Sequence, residues 1–291
     1  MRSKAILVLA MVLFSCVYAE AGLWTTIDVP GKDGTIIYGI DGSNLVGTYS
    51  DVSGTRGFAY DGMDWTYIDA PGSTRTWVYG IGGGNMVGNY NDASGSHGFL
   101  YDGTTWTTID VPGKDGTTIY GIDGSNLVGT YSDVSGTRGF AYNGTDWTYI
   151  DAPGATRTWV YGIEGSTMVG SYNDASGSHG FIYNGENWDT INVPDAYATT
   201  VYSISGGNIV GTYAPDVSGG THGFAYNGTD WTYIDAPGAT YTWVYDIEGS
   251  TMVGSYDDVS GSHGFTVVPE PATLLLLGLG GIFLRSKCRA K

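Results

Sequence analysis

The sequence predicts an all-β fold, a six-bladed ring of four-stranded sheets. Three observations predict it. Trp24, Trp65, Trp106, Trp147, Trp188 and Trp231 recur 41, 41, 41, 41 and 43 residues apart, a period that marks a repeat architecture. Each interval holds four short segments with apolar and small residues alternating, which is the period of a strand. The 48 glycines, with aromatic and charged residues at 14% each, supply turns and a buriable core together and exclude a disordered chain.

The chain opens with Met1-Arg2-Ser3-Lys4, an apolar run from Ala5 to Phe14, and Ala19-Glu20-Ala21. A basic start, a short apolar stretch and small residues two apart are the marks of a secretory signal peptide, residues 1–21, cut after Ala21 or, as second choice, Ala19. Leu13-Phe14-Ser15-Cys16 is a poor lipobox because of Phe14, so lipidation of Cys16 is the weaker option. The other cysteine, Cys288, stands in the tail, so the body between the ends has no disulfide to make.

The body, residues 22–267, begins with Trp24-Thr25-Thr26-Ile27-Asp28. Thr35 to Ile40, Asn44 to Tyr49 and Arg56 to Tyr60 follow as strands, with Asp41-Gly42-Ser43 and Asp51-Val52-Ser53-Gly54 as hairpin connections. Pro30-Gly31 interrupts pairing and starts the longest loop. Alternate units are closest in sequence, so the duplication is one of about 82 residues. The two extra residues of the fifth unit fall within Ala214 to Gly220, a loop, where length is cheap. Four strands in each repeat is the size of a β-propeller blade. The body starts with one strand and ends with three, so Trp24 to Asp28 is expected to complete the last blade. A β-solenoid is the rival, with usual rungs shorter than this period and caps that the sequence lacks.

The tail, residues 268–291, reads Val268-Pro269-Glu270-Pro271, a Leu-rich stretch from Ala272 to Leu284, and Arg285-Ser286-Lys287-Cys288-Arg289-Ala290-Lys291. The apolar stretch is short of the roughly 20 residues of a comfortable membrane span. Its basic end belongs on the cytoplasmic side, with the repeats outside. Pro269, Glu270 and Pro271 with the Leu-rich segment and basic end resemble the PEP-CTERM sorting signal of Gram-negative bacteria. The resemblance covers about the last two dozen residues. It implies transient inner-membrane insertion, recognition and removal of the tail by an exosortase-type transpeptidase, and association with exopolysaccharide and biofilm matrix. A plain membrane anchor is the alternative. The repeats resemble the extracellular HAF family through Gly80-Ile81, Val87-Gly88 and His97-Gly98-Phe99, with Gly98 where that family has Ala. This covers Trp24 to Val267 and implies export without implying a reaction.

Candidate chemistry is limited by repetition. One column reads Arg56, His97, Arg138, His179, His222 and His263, which suits structural hydrogen bonding better than a metal ring. A second reads Asp28, Asp69, Asp110, Asp151, Asn192 and Asp235, just ahead of each proline. No Ser-His-Asp or Cys-His set stands out, so no catalytic residue is assigned. The hairpin carboxylates Asp51, Asp92, Asp133, Asp174, Asp216 and Asp258 are weak calcium candidates, because one carboxylate and one hydroxyl fall short of the oxygens calcium wants. Asx turns explain them more cheaply. The net charge of −17, with Arg2, Lys4, Arg285, Lys287, Arg289 and Lys291 all in the terminal segments, repels nucleic acid and anionic membranes. The tryptophan series reads as core rather than a sugar platform. A ligand-binding face is expected at Arg75, Trp77, Arg157, Trp159, Tyr241 and Trp243, which depart from the other units in alternate repeats. Near-identical repeats would make that face multivalent toward exopolysaccharide or other surface proteins. The expected function is that of a noncatalytic cell-surface or extracellular-matrix protein. The alternative is an extracellular lyase or hydrolase acting on glycans from a site in the central channel.

Overall fold

The structure, a computed structural model, describes residues 22–269, and among these it holds twenty-four strands and no helix. The signal segment, Cys16 and the tail from Glu270 onward lie outside the described residues.

The first strand, β1 (Leu23–Ile27), joins the last sheet. The next four form an antiparallel sheet in chain order: β2 (Asp33–Asp41), β3 (Asn44–Asp51), β4 (Gly54–Tyr60) and β5 (Trp65–Ile68). The same pattern gives β6 (Arg75–Gly82), β7 (Asn85–Asn91), β8 (Ser96–Tyr101) and β9 (Trp106–Ile109), then β10 (Asp115–Asp123), β11 (Asn126–Asp133), β12 (Gly136–Tyr142) and β13 (Trp147–Ile150). Two further antiparallel units follow. They are β14 (Arg157–Glu164), β15 (Thr167–Asn173), β16 (Ser178–Tyr183) and β17 (Trp188–Ile191), and β18 (Ala198–Ser205), β19 (Asn208–Ala214), β20 (His222–Tyr226) and β21 (Trp231–Ile234). One parallel bridge, Ser178 to Ala198, joins these two units into an eight-stranded sheet. The last sheet orders β1 beside β24 (Gly261–Val268), then β23 (Thr251–Asp258) and β22 (Tyr241–Glu248). β1 pairs antiparallel with β24 from Leu23 opposite Val268 to Ile27 opposite Gly264.

Local chemistry sets these elements. Gly42, at φ 62°, allows the tight turn from β2 to β3 that an L side chain would strain. At the corner after each Trp strand, a buried threonine replaces the ladder that proline interrupts. Thr35, Thr76, Thr117, Thr158, Thr199 and Thr242 accept the backbone N–H of the residue six positions earlier at 3.0–3.1 Å.

The core lies between successive sheets. Phe58, Phe99, Phe140, Phe181, Phe224 and Phe265 are fully buried, one in each unit. Val46 of the first sheet packs with Val78, Met86 and Phe99 of the second, and Val253 of the last packs with Ile37 and Phe58 of the first. The Trp strands sit at the other edge of each sheet, where Trp65 stacks on Tyr60 at 4.4 Å and meets Phe58 at 5.1 Å. Trp24 meets Phe265 at 4.7 Å across the β1–β24 pairing.

Candidate functional site

The two polar columns of the sequence meet one to one. His97 Nδ1 lies 2.7 Å from Asp110, His263 Nδ1 2.8 Å from Asp28, His222 Nδ1 3.0 Å from Asp235 and His179 Nδ1 3.1 Å from Asn192. Arg56 reaches Asp69 at 3.5 Å and Arg138 reaches Asp151 at 3.6 Å. Each link ties the third strand of a sheet to the end of its Trp strand. The Asp110 and Asp28 hydrogen bonds raise the His97 and His263 imidazoles above the usual range.

The hairpin carboxylates close Asx turns. Asp51, Asp92, Asp133, Asp174, Asp216 and Asp258 accept the N–H of the serine two residues on at 2.7–2.8 Å. The same serines hold all six below the usual carboxylate range, through the hydroxyl first at Asp92, Asp174 and Asp258 and through the backbone N–H first at Asp51, Asp133 and Asp216. Among the described residues, no three His, Cys, Asp or Glu side chains are grouped to hold a metal ion.

The residues of the expected binding face stand at equivalent places near the starts of β6, β14 and β22. Arg75 and Arg157 are exposed and lie over Gly54 and Gly136, hairpin glycines of the preceding sheet. Trp77, Trp159 and Trp243 are half-buried, and Tyr241 stacks on Trp243 with centroids 5.7 Å apart.

Further along the same inner strands is a feature that sequence reasoning missed. Tyr38, Tyr79, Tyr120, Tyr161, Tyr202 and Tyr245 touch in succession, and Tyr245 touches Tyr38 again. The six centroid distances run from 4.8 to 5.0 Å and the six interplanar angles from 52° to 68°. Neighbouring rings are thus tilted well away from parallel, each against the next, around a closed circuit of six. Burial raises all six phenols, Tyr202 to about 12. Hydroxyls on the second strand behind them, such as Thr48 for Tyr38, Ser171 for Tyr161 and Thr212 for Tyr202, offset part of that rise. Asn89 holds that place behind Tyr79, and its Oδ1 is buried without a partner.

These tyrosines line a cavity of about 330 Å³ together with the isoleucines two residues on. The residue after each tyrosine is Gly39, Gly80, Gly121, Gly162, Ser203 and Asp246 in turn. The first four are glycine because a Cβ would meet the neighbouring inner strand. At Gly80 it would lie 2.6 Å from the Tyr120 carbonyl oxygen, and at Gly162 2.7 Å from that of Tyr202. Asp246 breaks the pattern. Its carboxylate accepts from Ser203 Oγ at 2.5 Å, Ile40 N at 2.9 Å and Ile247 N at 2.8 Å, bridging three inner strands. Asp246 is half-buried, and it lines the cavity. That burial outweighs its hydrogen bonds and lifts its pKa to about 6. At the rim, Glu248 accepts from Gly42 N at 2.6 Å, Asp123 from Gly165 N at 2.6 Å and Glu164 from Gly206 N at 2.7 Å. The lining contains no Lys, Arg or His.

Comparison with known proteins bears on fold and destination. No curated protein matches the chain. The β-propeller domain of the Trilobed protease from Pyrococcus furiosus, described as having an open velcro topology, superposes with a TM-score of 0.52 at 7% identity, over 82% of this chain and 95% of that one. The Hadza microbial sialidase Hz136 gives 0.52 at 10% identity, over 81% of this chain and 65% of the sialidase. Trypanosoma rangeli sialidase in complex with the inhibitor DANA gives 0.50 at 12%, over 87% and 57%. This chain thus spans less than two thirds of the sialidases it resembles. At these identities the likeness is one of fold alone, and the fold is that of the β-propellers. Residues 267–289 match the PEP-CTERM protein-sorting motif, and the chain carries that export and sorting signal at its C-terminus.

Proposed function

We propose that this chain is a noncatalytic protein of the cell surface or extracellular matrix of a Gram-negative bacterium. Its body, residues 22–267, closes as a six-bladed propeller. The signal peptide starts its export, the C-terminal segment holds it briefly in the inner membrane, and an exosortase-type enzyme processes the tail. The observation that carries this reading is the sorting motif at residues 267–289. Closure is supported by the β1–β24 pairing, the packing of Val253 on the first sheet and the return of the tyrosine contacts from Tyr245 to Tyr38.

The polar residues that recur in every repeat are engaged in the scaffold, as the His and Arg pairs with Asp illustrate. That leaves the surface of the alternate repeats at Arg75, Trp77, Arg157, Trp159, Tyr241 and Trp243 for exopolysaccharide or neighbouring surface proteins. Repetition gives that surface several weak contacts for one polymer. A glycan array with the secreted protein, followed by sizing of retained chains, tests this. Retention of intact polysaccharide supports the reading, and shortened chains overturn it in favour of a lyase or hydrolase.

One observation favours the enzyme alternative: Asp246 is a nonrecurring carboxyl in the axial cavity with a raised pKa. Against it, the lining offers no histidine, lysine or arginine. An acidic cavity also repels an anionic sugar of the sialic acid kind, so the sialidase likeness adds no support for that chemistry.

A further inference from the structure

We propose that the cavity at the tyrosine ring binds a small organic ammonium ion, with the aromatic ring and Asp246 as its two binding elements. This ligand is separate from the polymer or surface protein proposed above, and its site lies further along the inner strands than Trp77, Trp159 and Trp243.

The first argument is geometric. A regular hexagon has a radius equal to its side, so an ion on the axis would lie about 5 Å from all six tyrosine centroids, inside the roughly 6 Å reach of a cation–π contact. The cavity, about 330 Å³, is at the small end of ligand pockets.

The second argument is the charge at Asp246. Four equivalent positions are glycine, so the scaffold does not need a side chain there. Enclosing a carboxylate is costly unless a partner offsets it, and the three hydrogen bonds offset only part of that cost, because the net effect still raises the acid. A cation in the cavity supplies the missing counter-charge. The lining has no positive side chain to do so, and Glu248, Glu164 and Asp123 at the mouth draw cations in while turning anions away.

The third argument separates an organic cation from a metal. Calcium needs six to eight oxygens. Asp246 is the one carboxylate beside the ring, and the rim carboxylates are already bonded to backbone N–H groups. A quaternary or alkylated ammonium sheds its weak hydration readily and gains from aromatic surface instead.

The test is calorimetric titration of the secreted protein with choline, with its uncharged isostere 3,3-dimethylbutan-1-ol, and with calcium chloride. Choline is expected to bind, and the alcohol to bind at least about tenfold more weakly. Asp246→Ser, which installs the residue of the fifth sheet, should weaken choline by about tenfold or more. Glu248→Gln is exposed and serves as a second variant that keeps the fold; it should weaken choline by about two- to fivefold, and less so in high salt. Trp159→Ala should leave choline unaffected while reducing polysaccharide retention, so the two readings fail separately. No heat with choline up to about 20 mM, equal binding of the alcohol, undiminished affinity in both acidic variants, or displacement of choline by calcium would each overturn the proposal.

Discussion

At the scale of single residues, the most demanding positions are the six buried threonines behind the corners. Thr76 is fully buried. Its Oγ1 accepts from Ala70 N at 3.0 Å and stands 3.0 Å from Ser73 Oγ. Thr76→Val keeps the shape and removes the acceptor, so a buried N–H loses its partner. Such a loss costs about 1–3 kcal/mol, and Thr76→Ser, which keeps the oxygen, should cost less. Denaturant unfolding of both variants checks this, and equal stabilities would show that the corner does not depend on the oxygen. These residues repeat in the sequence without announcing a partner, because a hydrogen bond six residues back follows from the corner's shape rather than from periodicity. The His or Arg and Asp or Asn columns show the same limit. Both columns are visible in the sequence, yet their pairing depends on β4 lying beside β5 and on β24 lying beside β1. Asp246 is the one acid in a column of four glycines and Ser203, a departure the sequence reading passed over because its importance rests on what surrounds that column.

At the scale of the element, the strands and their order within each sheet follow from alternation and from turns rich in Gly, Asp and Ser. The bulges of the inner strands do not. In β10 the register slips between Ile119 and Gly121, and in β2 between Ile37 and Gly39, because the tyrosine between them swings out to its neighbours. The second strand must then come close. A Cβ on Gly129 would lie 2.0 Å from the Thr118 carbonyl oxygen and 3.0 Å from Phe140 Cζ. Backbone cannot yield as a flexible side chain can, so Gly129→Ala should destabilise by about 3 kcal/mol or more. Gly42→Ala is the control: it has φ 62° with no atom within 4 Å, and should cost only about 1–2 kcal/mol. Thermal melts of the two decide between close approach and backbone conformation as the reason for glycine in β11.

At the scale of the whole molecule, acidity divides into groups with opposite effects on stability. The Asx-turn carboxylates are held below their ordinary range, so they stabilise the fold above the unfolded carboxylate pKa, and that contribution is lost as pH falls through their folded values. His97 and His263 are raised, so their contribution is present below the ordinary histidine range and fades as pH rises through their folded values. Asp246 opposes its fellow carboxylates. With a folded pKa of about 6 against an ordinary 3.8, the folded state holds its proton more tightly than the unfolded chain. Its effect is therefore most favourable below about pH 4 and is lost as pH rises to about 6, where it levels off. Two pKa units correspond to about 3 kcal/mol, and water entering the cavity reduces that figure. Asp246→Ser removes this slope and leaves the Asx turns and histidines in place. Melting temperatures measured from pH 4 to pH 7 without added cation should thus fall more steeply in the wild type than in the variant between pH 4 and pH 6, and run parallel from there to pH 7. Parallel curves across the whole range would mean that Asp246 is hydrated like a surface carboxylate. Choline should flatten the wild-type slope, because a bound cation favours the ionised carboxylate and lowers its pKa.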